Sequence, residues 1–173
     1  MEEYRNKMTL STQLFCGKEP QKSLIQPIEN QIEIVKARGG IWTSTYNKEL
    51  GSDWVQVYDE IFGIPERGLD GWLLTPSSKA RVYIVDSYND LKRMFNSYER
   101  KLDDIPDVIK MLDFEKMSRD FDAIHLTVQG KKETRHSYPF NLYTWDCECT
   151  HWFRWCFDEV ESIGRIKGIL DIV

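Results

Sequence analysis

Apolar residues recur at helical spacing in three stretches of the chain. Trp54, Val57, Tyr58 and Ile61 stand at i, i+3, i+4 and i+7, which is one face of an α-helix. Ser52 precedes them as a helix N-cap. Asp53 follows in the first turn, where the helix dipole favours a carboxylate, and Gly63 closes the element. Leu91, Met94, Phe95 and Tyr98 repeat the pattern and predict a second helix over 88–100. Phe114, Met117 and Phe121 predict a shorter third helix over 113–120. Elsewhere the pattern is that of strands, with β-branched and aromatic runs bounded by glycine, proline or polar turns. Such runs lie at 12–17, 41–46, 71–75, 80–86, 123–127, 143–157 (long, with room for a bend) and 161–173. The segment 28–37 suits either a strand or a helical turn, and 131–139 is a polar connection. Short strands mixed with separated helices predict an α+β class: a single compact domain over 1–173, with mixed or antiparallel sheets and flanking helices. Residues 1–11 are polar and are expected to form a weakly ordered segment.

Composition narrows the function classes. The 173 residues suit one core, and 41% hydrophobic with 29% charged residues is the balance of a soluble globular chain. A net charge of −5 opposes non-specific nucleic-acid binding, which needs a basic surface, although one local basic pocket is compatible with it. The densest basic patch is Lys131, Lys132, Arg135 and His136. No apolar run reaches the roughly 20 residues that cross a bilayer, and the first residues lack the apolar centre of a signal peptide. No membrane partner is therefore expected, and the cytoplasm is the expected compartment. The four cysteines, Cys16, Cys147, Cys149 and Cys156, are accordingly expected as free thiols.

Two stretches carry candidate chemistry. Gly39-Gly40 runs into Ile41-Trp42-Thr43-Ser44-Thr45-Tyr46. The glycines permit unusual backbone angles and close approach by a ligand. On a pleated strand Trp42, Ser44 and Tyr46 share one face, a small hydroxyl between two large rings that could floor a planar ligand. The alternative is an ordinary buried strand after a Gly-Gly turn. Near the C-terminus, Trp145-Asp146-Cys147-Glu148-Cys149-Thr150-His151 sets Asp146, Glu148 and Thr150 on one strand face. Two carboxylates so placed repel each other unless a cation, donors or a cationic transition state compensates, or unless the face is solvated. On the other face Cys147, Cys149 and His151, with Cys156 as a further candidate ligand, would make a zinc set, but the first three step by about 6–7 Å, too far apart for one ion without a bend, so no metal is expected. His125, between Ile124 and Leu126, reads as a satisfied core histidine.

Taken in order, the first strand ending Leu14-Phe15-Cys16-Gly17, the Gly39-to-Thr45 run and the late Asp146-x-Glu148 resemble the ADP-ribosyltransferase superfamily. In that superfamily a first strand supplies a polar residue near a glycine that binds NAD. A middle strand carries a Ser-Thr-Ser-like triplet, and a late strand carries the catalytic glutamate. The resemblance implies an ADP-ribosyltransferase-like fold and NAD as substrate, with cleavage of the nicotinamide–ribose bond and transfer to a macromolecular acceptor or to water. By the same resemblance Glu148 stabilises the oxocarbenium-like charge, Asp146 faces the acceptor, and Ser44 orients Glu148 with support from Thr43 and Thr45. Gln13, Gly17 and Gly40 join the NAD-binding set, and Trp42 or Tyr46 stacks on nicotinamide. Three departures stand out: the triplet is Thr-Ser-Thr, position 146 is Asp, and the first strand has no Arg or His beside Gly17, the nearest polar residues being Gln13 and Lys18. They leave a non-catalytic nucleotide-binding or partner-blocking protein as the alternative. The Gly-Gly-aromatic-Thr-Ser-Thr and Trp-Asp-x-Glu pair is also similar to a pattern in uncharacterised bacterial and phage proteins, which implies no activity.

Overall fold

A computed structural model describes residues 9–102, 110–168 and 171. The first strand, β1, is Gln13–Cys16, followed by a short hairpin of β2 (Glu29–Asn30) and β3 (Ala37–Arg38). Next come β4 (Ile41–Thr45), α1 (Asp53–Phe62), β5 (Leu69–Pro76), β6 (Val82–Val85) and α2 (Tyr88–Tyr98). A two-stranded ribbon of β7 (Glu99–Arg100) and β8 (Met111–Leu112) precedes α3 (Phe114–Asp120) and β9 (Ala123–Leu126). The chain continues through α4 (Val128–Thr134), β10 (Cys149–Trp152) and β11 (Phe157–Ile166). Seven strands form one sheet in the order β11-β5-β1-β4-β10-β9-β6. Every neighbouring pair is antiparallel except β6 with β9. The class is α+β, with a mixed sheet and four helices among the described residues.

Two of the motif segments lie on the adjacent strands β1 and β4, and the third, ending at Glu148, leads directly into their neighbour β10. Register explains which side chains meet. Gln13 pairs with Thr45, Thr150 pairs with Thr43 on one side and with His125 on the other, and paired residues project to the same face. That face also carries Ile41, Val82, Ala123, Leu74 and Trp152, which form an apolar cluster with Leu10 and Phe157. The opposite face is covered by helices. Leu91, Met94 and Phe95 of α2 and Phe114 and Met117 of α3 pack on Tyr83, Val85, Ile124, Leu126 and Cys149. Val55 of α1 packs with Leu14 and Ile166. At about 25 cal/mol per Å² of apolar surface, these two-sided contacts are the main stabilising term.

Several elements differ from expectation. The 143–157 segment is not one strand. A turn region runs to Glu148, β10 covers only Cys149–Trp152, and β11 begins at Phe157. The apolar composition of this segment serves burial without extension: Leu142 and Trp145 are fully buried from an irregular segment, with Trp145 Nε1 donating to the Val35 carbonyl at 2.7 Å. The predicted last strand, 161–173, begins earlier, as β11 over Phe157–Ile166, and its positions 169–170 and 172–173 lie outside the described residues. Residues 131–139, expected as a connection, begin inside α4, which Thr127 caps by accepting from the Gly130 amide. On α1 the fully buried residue is Val55, Trp54 and Val57 pack against the core half-buried, and Ile61 at the far end is largely exposed. Of the N-terminal segment, residues 1–8 lie outside the described residues, but Leu10 is buried in the core.

Candidate functional site

Glu148 sits immediately before β10, at the end of β4. The residue is 5% exposed, and its carboxylate is held by donors from one short stretch of the middle strand. Ser44 Oγ donates to Oε2 at 2.7 Å, the Thr45 amide donates to Oε2 at 2.9 Å, and Thr45 Oγ1 donates to Oε1 at 2.8 Å. Ser44, itself fully buried, also accepts from the Trp54 amide in the first turn of α1 at 3.4 Å, so the positive end of that helix backs the carboxylate through one hydroxyl. The Glu148 amide donates to Asp53 Oδ2 at 2.7 Å, and Lys131 Nζ meets the same oxygen at 2.8 Å. Asp53 is thus more than a dipole partner: it ties α1, α4 and the entry to β10 together. Ser52 holds the N-cap position with extended backbone, yet its buried Oγ has no partner.

Behind the carboxylate lies a buried polar stripe. Gln13, fully enclosed, accepts from Thr43 Oγ1 and Thr150 Oγ1, both at 2.8 Å, and donates from Nε2 to the Ser11 carbonyl at 3.0 Å and to Thr45 Oγ1 at 3.3 Å. Trp152 Nε1 donates to Thr43 Oγ1 at 2.9 Å. His125 Nδ1 lies 2.8 Å from Thr150 Oγ1 and 3.5 Å from Glu148 Oε1. Burial pushes His125 below its usual value of 6.5, against the opposing pull of Glu148 and Asp86. The sequence marked His125 only as a core histidine. Its approach to Glu148 depends on the β9–β10 register, and no local signal encodes that.

The remaining candidates divide. Asp146 does not share a strand face with Glu148. Its carboxylate is half exposed and pairs with Lys36 at 3.7 Å and Arg135 at 3.3 Å, so the carboxylate repulsion expected from the spacing is relieved by cations. Trp42, Ser44 and Tyr46 do share one face, but it is no open floor for a planar ligand. The Trp42 ring stacks on His151 at 4.1 Å and meets the edge of Trp145 at 4.8 Å. Tyr46 instead lines a cleft of about 360 Å³ together with Ser11, Thr12, Lys48, Thr75 and Glu161. The glycines serve the protein's own backbone. A Cβ on Gly39 would lie 1.9 Å from the Pro27 carbonyl oxygen, and one on Gly40 would lie 2.3 Å from that of Trp152. Gly17, at the end of β1, accepts from Trp72 Nε1 at 3.0 Å and donates to the Asp70 carbonyl at 2.8 Å.

Cys147 and Cys149 are buried free thiols, and the hydrogen bond with the Cys147 thiol, reinforced by burial, raises Cys149. Among the described residues no helix is long and apolar enough to cross a membrane. In comparisons with known proteins, the chain matches no family model, no curated protein and no solved structure.

Proposed function

We propose that this protein is an ADP-ribosyltransferase-like enzyme that cleaves the nicotinamide–ribose bond of NAD, passing the ADP-ribosyl group to a macromolecule or to water. The observation that carries it is the 2.7 Å hydrogen bond from Ser44 Oγ to the Glu148 carboxylate, between residues 104 positions apart. Loss of nicotinamide leaves positive charge on the ribose ring, and a carboxylate held rigidly by three donors stabilises that charge without reorganising. Glu148 has this role. Ser44 and Thr45 orient it, and Asp146, on the half-exposed side with Lys36 and Arg135, faces the acceptor. Lys36, Arg135 and Lys131 supply cationic groups around the segment for a pyrophosphate, and Tyr46, next in the chain to Thr45, lines a cleft.

A non-catalytic nucleotide-binding or partner-blocking role is the second possibility, favoured by the closure of Glu148 and by the engagement of Gln13 inside the fold. One experiment separates the two. Purified protein and its Glu148→Gln variant are incubated with NAD, with nicotinamide release and thermal stability both followed. For an enzyme, the wild type releases nicotinamide and the variant loses the activity by about 10²-fold or more while keeping its melting temperature within a few degrees. Stabilisation by NAD without product over hours supports binding alone. Equal turnover by both proteins removes Glu148 from the reaction.

A further inference from the structure

The polar stripe behind Glu148 has only one consistent arrangement of protons, and Gln13 sets it. A backbone carbonyl only accepts, so the Ser11 carbonyl at 3.0 Å fixes the amide nitrogen of Gln13 on its side. Oε1 then faces the hydroxyls of Thr43 and Thr150, and each must donate to it. Thr43 still accepts from Trp152 Nε1, which has no other capacity. Thr150 has one proton, already directed at Gln13, so it accepts from His125 Nδ1, and His125 carries a proton on Nδ1. On the other branch Gln13 Nε2 donates to Thr45 Oγ1. The single proton of Thr45 is therefore turned to Glu148 Oε1. Three protons converge on the carboxylate, the arrangement of an ionised acceptor.

We infer that Gln13 is a positioning residue: from the first strand it directs the Thr45 hydroxyl onto Glu148 and holds neutral His125 in its Nδ1–H form, leaving the carboxylate an acceptor only. This changes the part expected for Gln13, from a residue that touches the ligand to one that acts through Thr45 on the residue that does. The wiring stands on the hydrogen-bond geometry alone; its effect on turnover rests on the NAD-cleaving function proposed above. Buried hydroxyls next to an apolar replacement would be free to rotate. In Gln13→Met, Thr150 loses its acceptor and turns its proton toward His125 Nδ1, and the imidazole proton moves to Nε2. Thr43→Val removes the neighbouring donor but leaves the Thr150–His125 link intact.

The test is the ¹⁵N spectrum of histidine-labelled protein near pH 8, with the three imidazoles assigned by single substitutions. His151 donates from Nε2 to the Gly39 carbonyl at 3.0 Å, so the two buried rings are expected as opposite tautomers, His125 protonated at Nδ1 and His151 at Nε2. Gln13→Met is expected to convert His125 to the Nε2–H form, and Thr43→Val to leave it unchanged. In the nicotinamide assay Gln13→Met is expected to lower kcat about tenfold or more with little change in KM. Wild-type His125 protonated at Nε2 overturns the wiring, whether or not any variant folds. An unchanged tautomer in folded Gln13→Met removes Gln13 as its cause. The expected spectra with no nicotinamide release from wild type uphold the wiring and refute the enzyme. Release with a kcat unaffected by Gln13→Met refutes the positioning role alone.

Discussion

His151 shows how much one buried residue is asked to do. It is fully enclosed, stacks on Trp42, donates to Gly39 and leaves Nδ1 without a partner. Burial holds it down to about 4, with Lys36 pushing the same way against the Gly39 bond. The unfolded chain takes up this proton near 6.5, whereas the folded protein resists until about 4. Stability is therefore lost as pH falls through that window, by up to about 3 kcal/mol from this residue. Urea unfolding at several pH values checks it: His151→Phe, which keeps a stacking ring but cannot titrate, should show a flatter decline between pH 6.5 and 4 than wild type. An equal slope in both proteins would assign the acid sensitivity to other groups. At this scale the sequence named Ser44, Thr45 and Glu148 through their motif. It had no means of naming His125 or the inward engagement of Gln13, because those depend on partners 25 and 137 positions away.

The Gly39–Thr45 turn and strand was singled out as a place where a ligand approaches backbone, and the approach there is made by the protein itself. Gly40 has φ +66°, and the space a side chain would need is filled by the Trp152 carbonyl, the His151 ring and Ile28. Gly63, at the end of α1, has φ +69° with nothing within 4 Å. Alanine at Gly63 should cost about 1–3 kcal/mol, from the positive-φ backbone alone. Alanine at Gly40 adds overlap with main chain that cannot move without parting β4 from β10, and should cost at least about 1–3 kcal/mol more. Chemical denaturation of the two variants checks the difference, and equal losses would show that the turn relaxes freely. The helices were legible because their apolar periodicity needs only local spacing. The 143–157 segment was not, since burial by irregular chain and burial by strand leave the same apolar composition.

Across the whole molecule, one sheet face is covered by helices and the other carries the buried stripe of Gln13, Thr43, Thr150 and His125 bordered by Ile41, Leu74 and Trp152. Strands β1, β4 and β10 lie inside the sheet order, whereas β11 and β6 are its edges and the β2–β3 hairpin stands apart. Hydrogen exchange followed by mass spectrometry should find the slowest amides in Ile41–Thr45 and Cys149–Trp152 and the fastest among the described strands in β2, β3 and the outer side of β11. Protection concentrated in α1 instead would show that the stripe does not anchor the fold. By itself the sequence determined the α+β class, three of the helices, most strand positions and the pairing in type of a hydroxyl triplet with a late carboxylate, since propensity, periodicity and residue chemistry are carried within short windows. Only the tertiary structure decided that Asp146 and Glu148 part company, that Trp42 is stacked inside the protein, that the glycines receive backbone, and that Gln13 and His125 join Glu148. Each of those follows from strand order and register, and register is settled by which faces can be buried together across the whole chain.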